Sequence, residues 1–338
     1  MYLGKTPKKQ KEKILSQISN GEIDIVIGTH SLLEEKVKFK NLSLIVIDEQ
    51  HKFGVLQRKK LYDKSQLPDV LIMTATPIPR SLAMTLYAEL DISVIDELPK
   101  GRKPIKTLFF KEEKEAFNFV IEKLYQGEKV YIVYPVIEEN KLELKSLITE
   151  YNKLTSTIFR NFHCGMLHGK LKPEEKNKQM LKFKSGEFKV LFSTTVVEVG
   201  IDVTDATVIL INHSERFGLS TLHQLRGRVG RGEKESYCIL TGKLSTEQAK
   251  QRIETMLSTN DGFVIAQRDL ELRGAGEIFG TQQHGLSEID YSDVLKYPDL
   301  LKKAREYAKN IIVSNNYNYE HKFNYNTQGK KIQLGNIG

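Results

Sequence analysis

The sequence predicts an α/β protein built of two similar domains and a helical appendage, on three observations. Short apolar, β-branched runs alternate with longer helical patterns; 338 residues exceed what a single core usually fills; and one Pro-, Gly- and charge-rich stretch separates the runs into two groups. The runs are Ile23 to Ile27, Leu44 to Ile47, Val70 to Met73, Val130 to Val133, Val190 to Phe192, Val208 to Ile211 and Tyr237 to Leu240. Apart from Asp24 in the first they are apolar, as strands buried on both faces of a parallel sheet are expected to be, and the helices between them make βαβ units.

The dividing stretch is Leu98-Pro99-Lys100-Gly101-Arg102-Lys103-Pro104, so the first domain is expected over residues 1–103 and the second over 104–243. The appendage, 244–338, begins where the strands stop. Residues 245–273 read as two helices broken at Asn260-Asp261-Gly262, followed by a Gly-rich loop from Gly274 to Gly285 and a helix around Ser292 to Asn310. From Ile311 onward the chain is rich in Asn, Tyr and Lys without a clear period, which suits an irregular tail.

Composition narrows the class. Hydrophobic residues at 40% and charged residues at 28% exclude a disordered chain, and 51 Lys+Arg against 43 Asp+Glu give a net charge of +8, a lean toward polyanions such as nucleic acid. Cys164 and Cys238 are too few for a disulfide framework and are not spaced as metal ligands, so both read as small buried residues in a reducing cytoplasm. No apolar run reaches the roughly 18 residues of a membrane span.

The chemistry-bearing segments follow the strands. Leu44 to Ile47 runs into Asp48-Glu49-Gln50-His51, and a carboxylate at a strand's C-terminal end lies where open α/β sheets bind ligands. Asp48 is suited to Mg²⁺, and Glu49, pointing the other way on extended backbone, to a general base; two acids that merely solvate a strand end are the alternative. Met73-Thr74-Ala75-Thr76-Pro77 carries hydroxyls from Thr74 and Thr76 toward the same strand end, or else is a stiff turn with a helix cap. Ser193-Thr194-Thr195 to Gly200-Ile201-Asp202 places hydroxyls where a helix begins, which suits phosphate contact or simple capping. In Gln224-Leu225-Arg226-Gly227-Arg228-Val229-Gly230-Arg231-Gly232, three arginines and three glycines share nine positions. Arginine forks toward phosphate oxygens and glycine lets backbone approach; Arg228 and Arg231, three apart, are expected on one face of a helix.

In this order the motifs resemble those of superfamily 2 helicases, whose motor is two RecA-like lobes with ATP held between them. That resemblance implies metal and base roles for Asp48, Glu49, Gln50 and His51, coupling for Thr74 and Thr76, and contact with DNA and nucleotide for Thr194, Thr195, Gly200 and Asp202. It assigns Gln224 to the nucleotide and Arg228 and Arg231 to the arginine fingers. Longer strings are similar to the RecG family: Gly28-Thr29-His30-Ser31-Leu32-Leu33, with Thr29 and His30 facing DNA, then Lys52 to Arg58, Asp91 to Pro99, Tyr134-Pro135-Val136-Ile137 and Leu167-His168-Gly169. Asp269 to Gln283 resembles the translocation motif that this family shares with the transcription-repair coupling factor, which brings Arg273, Gln282 and Gln283 toward duplex DNA. Phe263, Ala266 and Leu270 are its expected apolar stripe.

The resemblance thus implies an ATP- and Mg²⁺-dependent, cytoplasmic and monomeric helicase acting on branched double-stranded DNA in recombination and repair. A non-catalytic DNA-binding remnant and a piece of the coupling factor are the alternatives. No Gly-x-x-x-x-Gly-Lys-Ser/Thr loop occurs, since Gly4-Lys5-Thr6 lacks the earlier glycine, and by the resemblance the family's wedge domain is expected to be missing as well. The first lobe therefore reads as N-terminally truncated, the chain as inactive alone, and Leu44 to Ile47 as a strand with an unpaired edge.

Overall fold

In the computed structural model, residues 7–48, 64, 68–74, 91–95, 97, 99, 101–135, 141–194, 202–273 and 298–313 are described. The chain divides into two compact units, Met1–Pro77 and Ile78–Gly338.

In the first unit, helix α1 (Lys8–Asn20) stops at Gly21, which turns into the left-handed region at φ 74°. Strands β1 (Leu44–Ile47) and β2 (Asp69–Ile72) pair in parallel, Leu44 opposite Asp69 and Ile47 opposite Ile72. Period-two alternation buries Ile45 and Ile47 and leaves Leu44 and Val46 exposed, with Leu71 and Met73 exposed on and just after β2. Lys64 Nζ donates to the carbonyls of Glu34 and Val37, both at 2.8 Å, and so ties down the stretch before β1. The strand expected at Ile23 to Ile27 does not form. Ile25 is 79% and Ile27 59% exposed: the segment has the composition of a strand, but a strand needs a neighbour to take its backbone hydrogen bonds. Among the described residues β1 likewise has β2 as its one neighbour.

The second unit is a six-stranded, wholly parallel sheet in the order β3-β8-β7-β4-β6-β5. Its strands are β3 (Lys106–Phe110), β4 (Lys129–Val133), β5 (Cys164–Leu167), β6 (Val190–Ser193), β7 (Ala206–Ile211) and β8 (Tyr237–Thr241). Alternate residues serve two cores. Val130, Ile132, Val190, Phe192, Val208, Leu210 and Ile239 pack under α2 (Glu113–Tyr125) and α3 (Lys141–Ser156). Tyr131, Val133, Leu191, Ile209, Ile211 and Leu240 pack under α4 (Pro173–Ser185), α5 (Leu219–Arg226), α6 (Glu247–Ser258) and α7 (Gly262–Arg273). Central β4 is buried along its whole length, Lys129 included; its ammonium is neutralised by Asp205 at 2.8 Å and bonded to the Lys184 carbonyl at 2.6 Å.

The α6–α7 pair follows as expected. Thr246 caps α6 by accepting from the Ala249 N–H, and Asp261 begins α7 by accepting from the Phe263 N–H at 2.7 Å, which is why the helix breaks at Asn260-Asp261-Gly262. The expected stripe on α7 is corrected: Ile265, Asp269 and Leu270 are the buried residues, whereas Phe263 and Ala266 are half-buried. Helix α8 spans Pro298–Val313, and the tail from 314 onward lies outside the described residues. No described helix is long and apolar enough to cross a membrane.

Candidate nucleotide and nucleic-acid site

Parallel strands aim their carboxyl ends at one edge, and polar side chains gather there in both units. In the first, Asp48 follows Ile47 and Thr74 follows Met73, whose N–H donates to the Ile47 carbonyl at 2.8 Å. The structure thus brings Asp48 and Thr74 to the same end of one strand pair, both exposed. An exposed carboxylate there is chemically fit for a hydrated Mg²⁺. Thr29 and His30 are exposed at the start of a short 3-10 turn, with Thr29 Oγ1 3.4 Å from Ser31 Oγ. Glu49, Gln50, His51 and Thr76 lie outside the described residues.

In the second unit the carboxyl edge carries Tyr134, His168, Thr194, Asn212 and Thr241. Register pairs Leu167 with Ser193, and the Thr194 N–H donates to the Leu167 carbonyl, so His168 and Thr194 leave adjacent strands side by side. His168 Nδ1 and Thr194 Oγ1 are both buried without a hydrogen-bond partner among the described residues. Burial, then the charges of Lys176 and Lys170, hold the His168 imidazole below its ordinary range and therefore neutral near pH 7. On the far side of β4 from them, Thr241 Oγ1 donates to Asn212 Oδ1 at 2.9 Å, and the Ser214 hydroxyl donates to the Thr241 carbonyl. In the sequence His168 is only one residue of a longer string; its burial at a strand end, invisible there, is what singles it out. Thr195 and Gly200 lie outside the described residues.

The arginine-rich segment departs from expectation. Helix α5 ends at Arg226, so Arg228 and Arg231 stand on the loop beyond it and do not share a helical face. Gly230 sets that loop by taking φ 73°, and its carbonyl accepts from Arg102 Nε at 2.7 Å. Arg231 pairs with Asp202 at 2.8 Å, and half-buried Arg228 makes no ion pair among the described residues. Both charges act on the buried Tyr131 hydroxyl, which burial nevertheless pushes well above its usual range. Gln224 is half-buried on α5.

Arg226 is different in kind. It is 2% exposed and points away from the loop, donating to Thr107 Oγ1 at 3.2 Å and to the carbonyls of Met256 at 3.0 Å and Thr259 at 2.9 Å. Arg252 of α6 in turn donates to the carbonyls of Glu215 and Phe217, just before α5. Arg273 is the last residue of α7, and Gln282 and Gln283 lie outside the described residues.

Comparison with known proteins agrees with this layout. Residues 1–85 match the DEAD/DEAH box helicase family, 114–233 the helicase conserved C-terminal domain, and 259–332 the C-terminal part of domain 3 of the ATP-dependent DNA helicase RecG. The ATP-dependent DNA helicase RecG of Thermotoga maritima is 48% identical over 316 residues, which are 93% of this chain and 40% of that protein. That of Bacillus subtilis is 48% identical over 309 residues, 90% of this chain and 45% of that protein. A solved structure of RecG bound to a three-way DNA junction superposes with a TM-score of 0.68 at 45% identity, covering 89% of this chain and 39% of that one. The Mycobacterium smegmatis helicase Lhr, at 19% identity and a TM-score of 0.52, shares the fold. The chain therefore spans less than half the length of these two RecG relatives. With three helicase signatures in order and nearly half its residues identical over nine-tenths of its length, the chain is similar to the RecG type of superfamily 2 helicase along most of its own length.

Proposed function

We propose that this chain is the larger part of an ATP-driven motor that works on branched double-stranded DNA, with residues 1–103 and 104–243 as its two lobes and 244–338 as the translocation element. The observation that carries the reading is the pair of buried polar atoms, His168 Nδ1 and Thr194 Oγ1, that have no partner among the described residues and lie on adjacent strand ends, where the charges of Lys176 and Lys170 act on His168. Leaving such a group unsatisfied costs about 1–3 kcal/mol, which a ligand acceptor removes. A hydroxyl and a neutral imidazole N–H flanked by ammonium groups suit a phosphodiester oxygen. The solved relative, a RecG bound to a three-way DNA junction, supports branched DNA as the form engaged.

ATP with Mg²⁺, when bound, supplies the phosphoryl group whose transfer to water drives the motor. Toward it, Asp48 would hold the metal, Glu49 would take the proton of the attacking water, and Gln50 and His51 would complete that strand end. Gln224, Gly200 and Asp202 would face the nucleotide. Arg228 and Arg231 would neutralise charge on the γ-phosphoryl oxygens. The Arg231–Asp202 pair, with side chains 35% and 49% exposed, holds too weakly to prevent Arg231 from exchanging Asp202 for phosphate. Thr29, His30, Thr74, Thr76, Thr195, Arg273, Gln282 and Gln283 would relay the nucleotide state to the DNA backbone.

Fluorescence anisotropy with a three-way junction and a linear duplex of equal length tests the DNA half of the reading. The junction is expected to bind more tightly, and His168→Ala with Thr194→Val to weaken it about tenfold without changing the salt slope, because neither group displaces a counterion. Equal, unaltered binding by the double variant would remove the phosphate assignment. Phosphate release tests the other half. With no phosphate-binding loop among its 338 residues, the chain alone is expected to show no turnover. In a motor with that loop restored, Glu49→Gln should abolish DNA-stimulated hydrolysis, and retained turnover would refute its role as base.

A further inference from the structure

The buried arginine has no use in the phosphate chemistry just described, and its surroundings give it another. Arg226 meets no carboxylate among the described residues. Its guanidinium instead faces the C-terminal end of α6, where the Met256 carbonyl is one of the four that no helical N–H can reach and Thr259 is the cap residue. A positive charge at a helix C-terminus is stabilised by the helix dipole and closes open carbonyls. At the opposite end of α5 the polarity is reversed. Asp269 of α7, 8% exposed, accepts from the Ser220 hydroxyl at 2.7 Å in the first turn of α5, where a negative charge is favoured. Helix α7 also packs along α5 and α6. Thus α5, whose last residue leads straight to Arg228 and Arg231, is fastened at both ends to the α6–α7 pair by buried charges set against helix termini.

We infer that Arg226 and Asp269 are positioning residues that lock α5, α6 and α7 into one rigid body, so that a displacement of the Arg228/Arg231 loop is delivered undiminished to the end of α7 at Arg273. The locking is a property of the fold; its use in translocation rests on the motor reading above. Of three arginines alike in the sequence, two are open to a ligand and one acts mechanically through α6.

Hydrogen exchange on the whole chain tests this. In the wild type, amides of α5, α6 and α7 should open together, with one denaturant dependence. Arg226→Met should speed exchange across α6 and α7 by about 10- to 100-fold relative to β7, the loss expected for charge-assisted hydrogen bonds, and Arg226→Lys should recover part of it. The His223 imidazole, 3.1 Å from the guanidinium and held at about 4 by burial and then by Arg226, should titrate higher in the Met variant and stay low in the Lys variant. Should Arg226→Met not fold, Asp269→Asn read at the α5 amides decides the same point. Independent opening of α5 and α7 in the wild type, or unchanged exchange in the variants, overturns the inference. Added three-way junction should protect α7 together with residues 226–231 in the wild type, but α7 alone in Arg226→Met. If the junction protects nothing in the wild type, the DNA reading fails and the exchange without DNA still decides the locking.

Discussion

Replacing Gly230 by alanine tests how the arginine loop is built. Gly230 lies between Arg228 and Arg231 with φ 73°, a region costing an L-residue about 1–2 kcal/mol. An added Cβ would stand 2.7 Å from Ile105 Cγ1 and 3.1 Å from its Cδ1, so the half-buried isoleucine must move, at about 1–3 kcal/mol. Together these give a loss near ~3 kcal/mol, about 6–12 °C in a unit of this size. Gly227 in the same segment is the control: its φ is −66° and its Cβ would come no closer than 3.5 Å to the Gln224 carbonyl, so Gly227→Ala should stay within about 0.5 kcal/mol of wild type. Urea unfolding followed by circular dichroism measures both. Ile105→Ala in the Gly230→Ala background should show a coupling of about 1–2 kcal/mol, the steric share, while the dihedral share persists. Equal costs at Gly227 and Gly230, or a Gly230→Ala cost below about 0.5 kcal/mol, would refute the claim that conformation at this one glycine sets the loop.

Three further outcomes follow from burial and charge. His223 is held at about 4 in the folded state against an ordinary 6.5, so the unfolded chain takes up its proton first: stability is full above pH 6.5 and falls on the order of 2–3 kcal/mol as pH drops toward 4. Urea midpoints across that window should show the fall, and His223→Gln should flatten it. Burial pushes the Cys164 and Cys238 thiols up to about 12, so a disulfide reagent at pH 8 should modify neither in the native protein and both in urea. Finally, Lys170→Ala should lower the salt slope of junction binding by about 0.9 for each phosphate the lysine no longer neutralises, unlike His168→Ala, which anisotropy across a salt series separates.

Strands β4, β6 and β7 are legible because a strand covered on both faces must be apolar at nearly every position, and Val130–Val133 or Val208–Ile211 can be little else. Lys106–Phe110 and Cys164–Leu167 are not. They are the two edge strands, partly open, and so carry Lys, Thr, Cys and Gly that hide the pattern. Ile23 to Ile27 failed in the opposite sense, since composition supplies a strand's preference but not its hydrogen-bonding neighbour. The order of motifs was readable, as was the arrival of Asp48 and Thr74 at one sheet end, because parallel connectivity dictates it. The pairing of His168 with Thr194 depends on β5 and β6 being neighbours, a fact of register that no spacing along the chain records.

The arginine segment shows the limit of spacing most directly. Reading Arg228 and Arg231 as helical neighbours assumes that α5 continues, yet Gly227 ends the helix and Gly230 reverses the backbone, so the interval of three has no helical meaning there. Reading Arg226 with them assumes that like residues in a cluster share a task. Its environment reverses that: an arginine 2% exposed cannot wait for a phosphate, because without the carbonyls of Met256 and Thr259 its burial would cost several kcal/mol. A charge kept in the core is informative through what neutralises it, and here that is the end of a helix 30 residues further along the chain. Function in this segment therefore divides by burial: half-buried Arg228 and exposed Arg231 are available to a ligand, and the buried arginine fixes the frame in which they are offered.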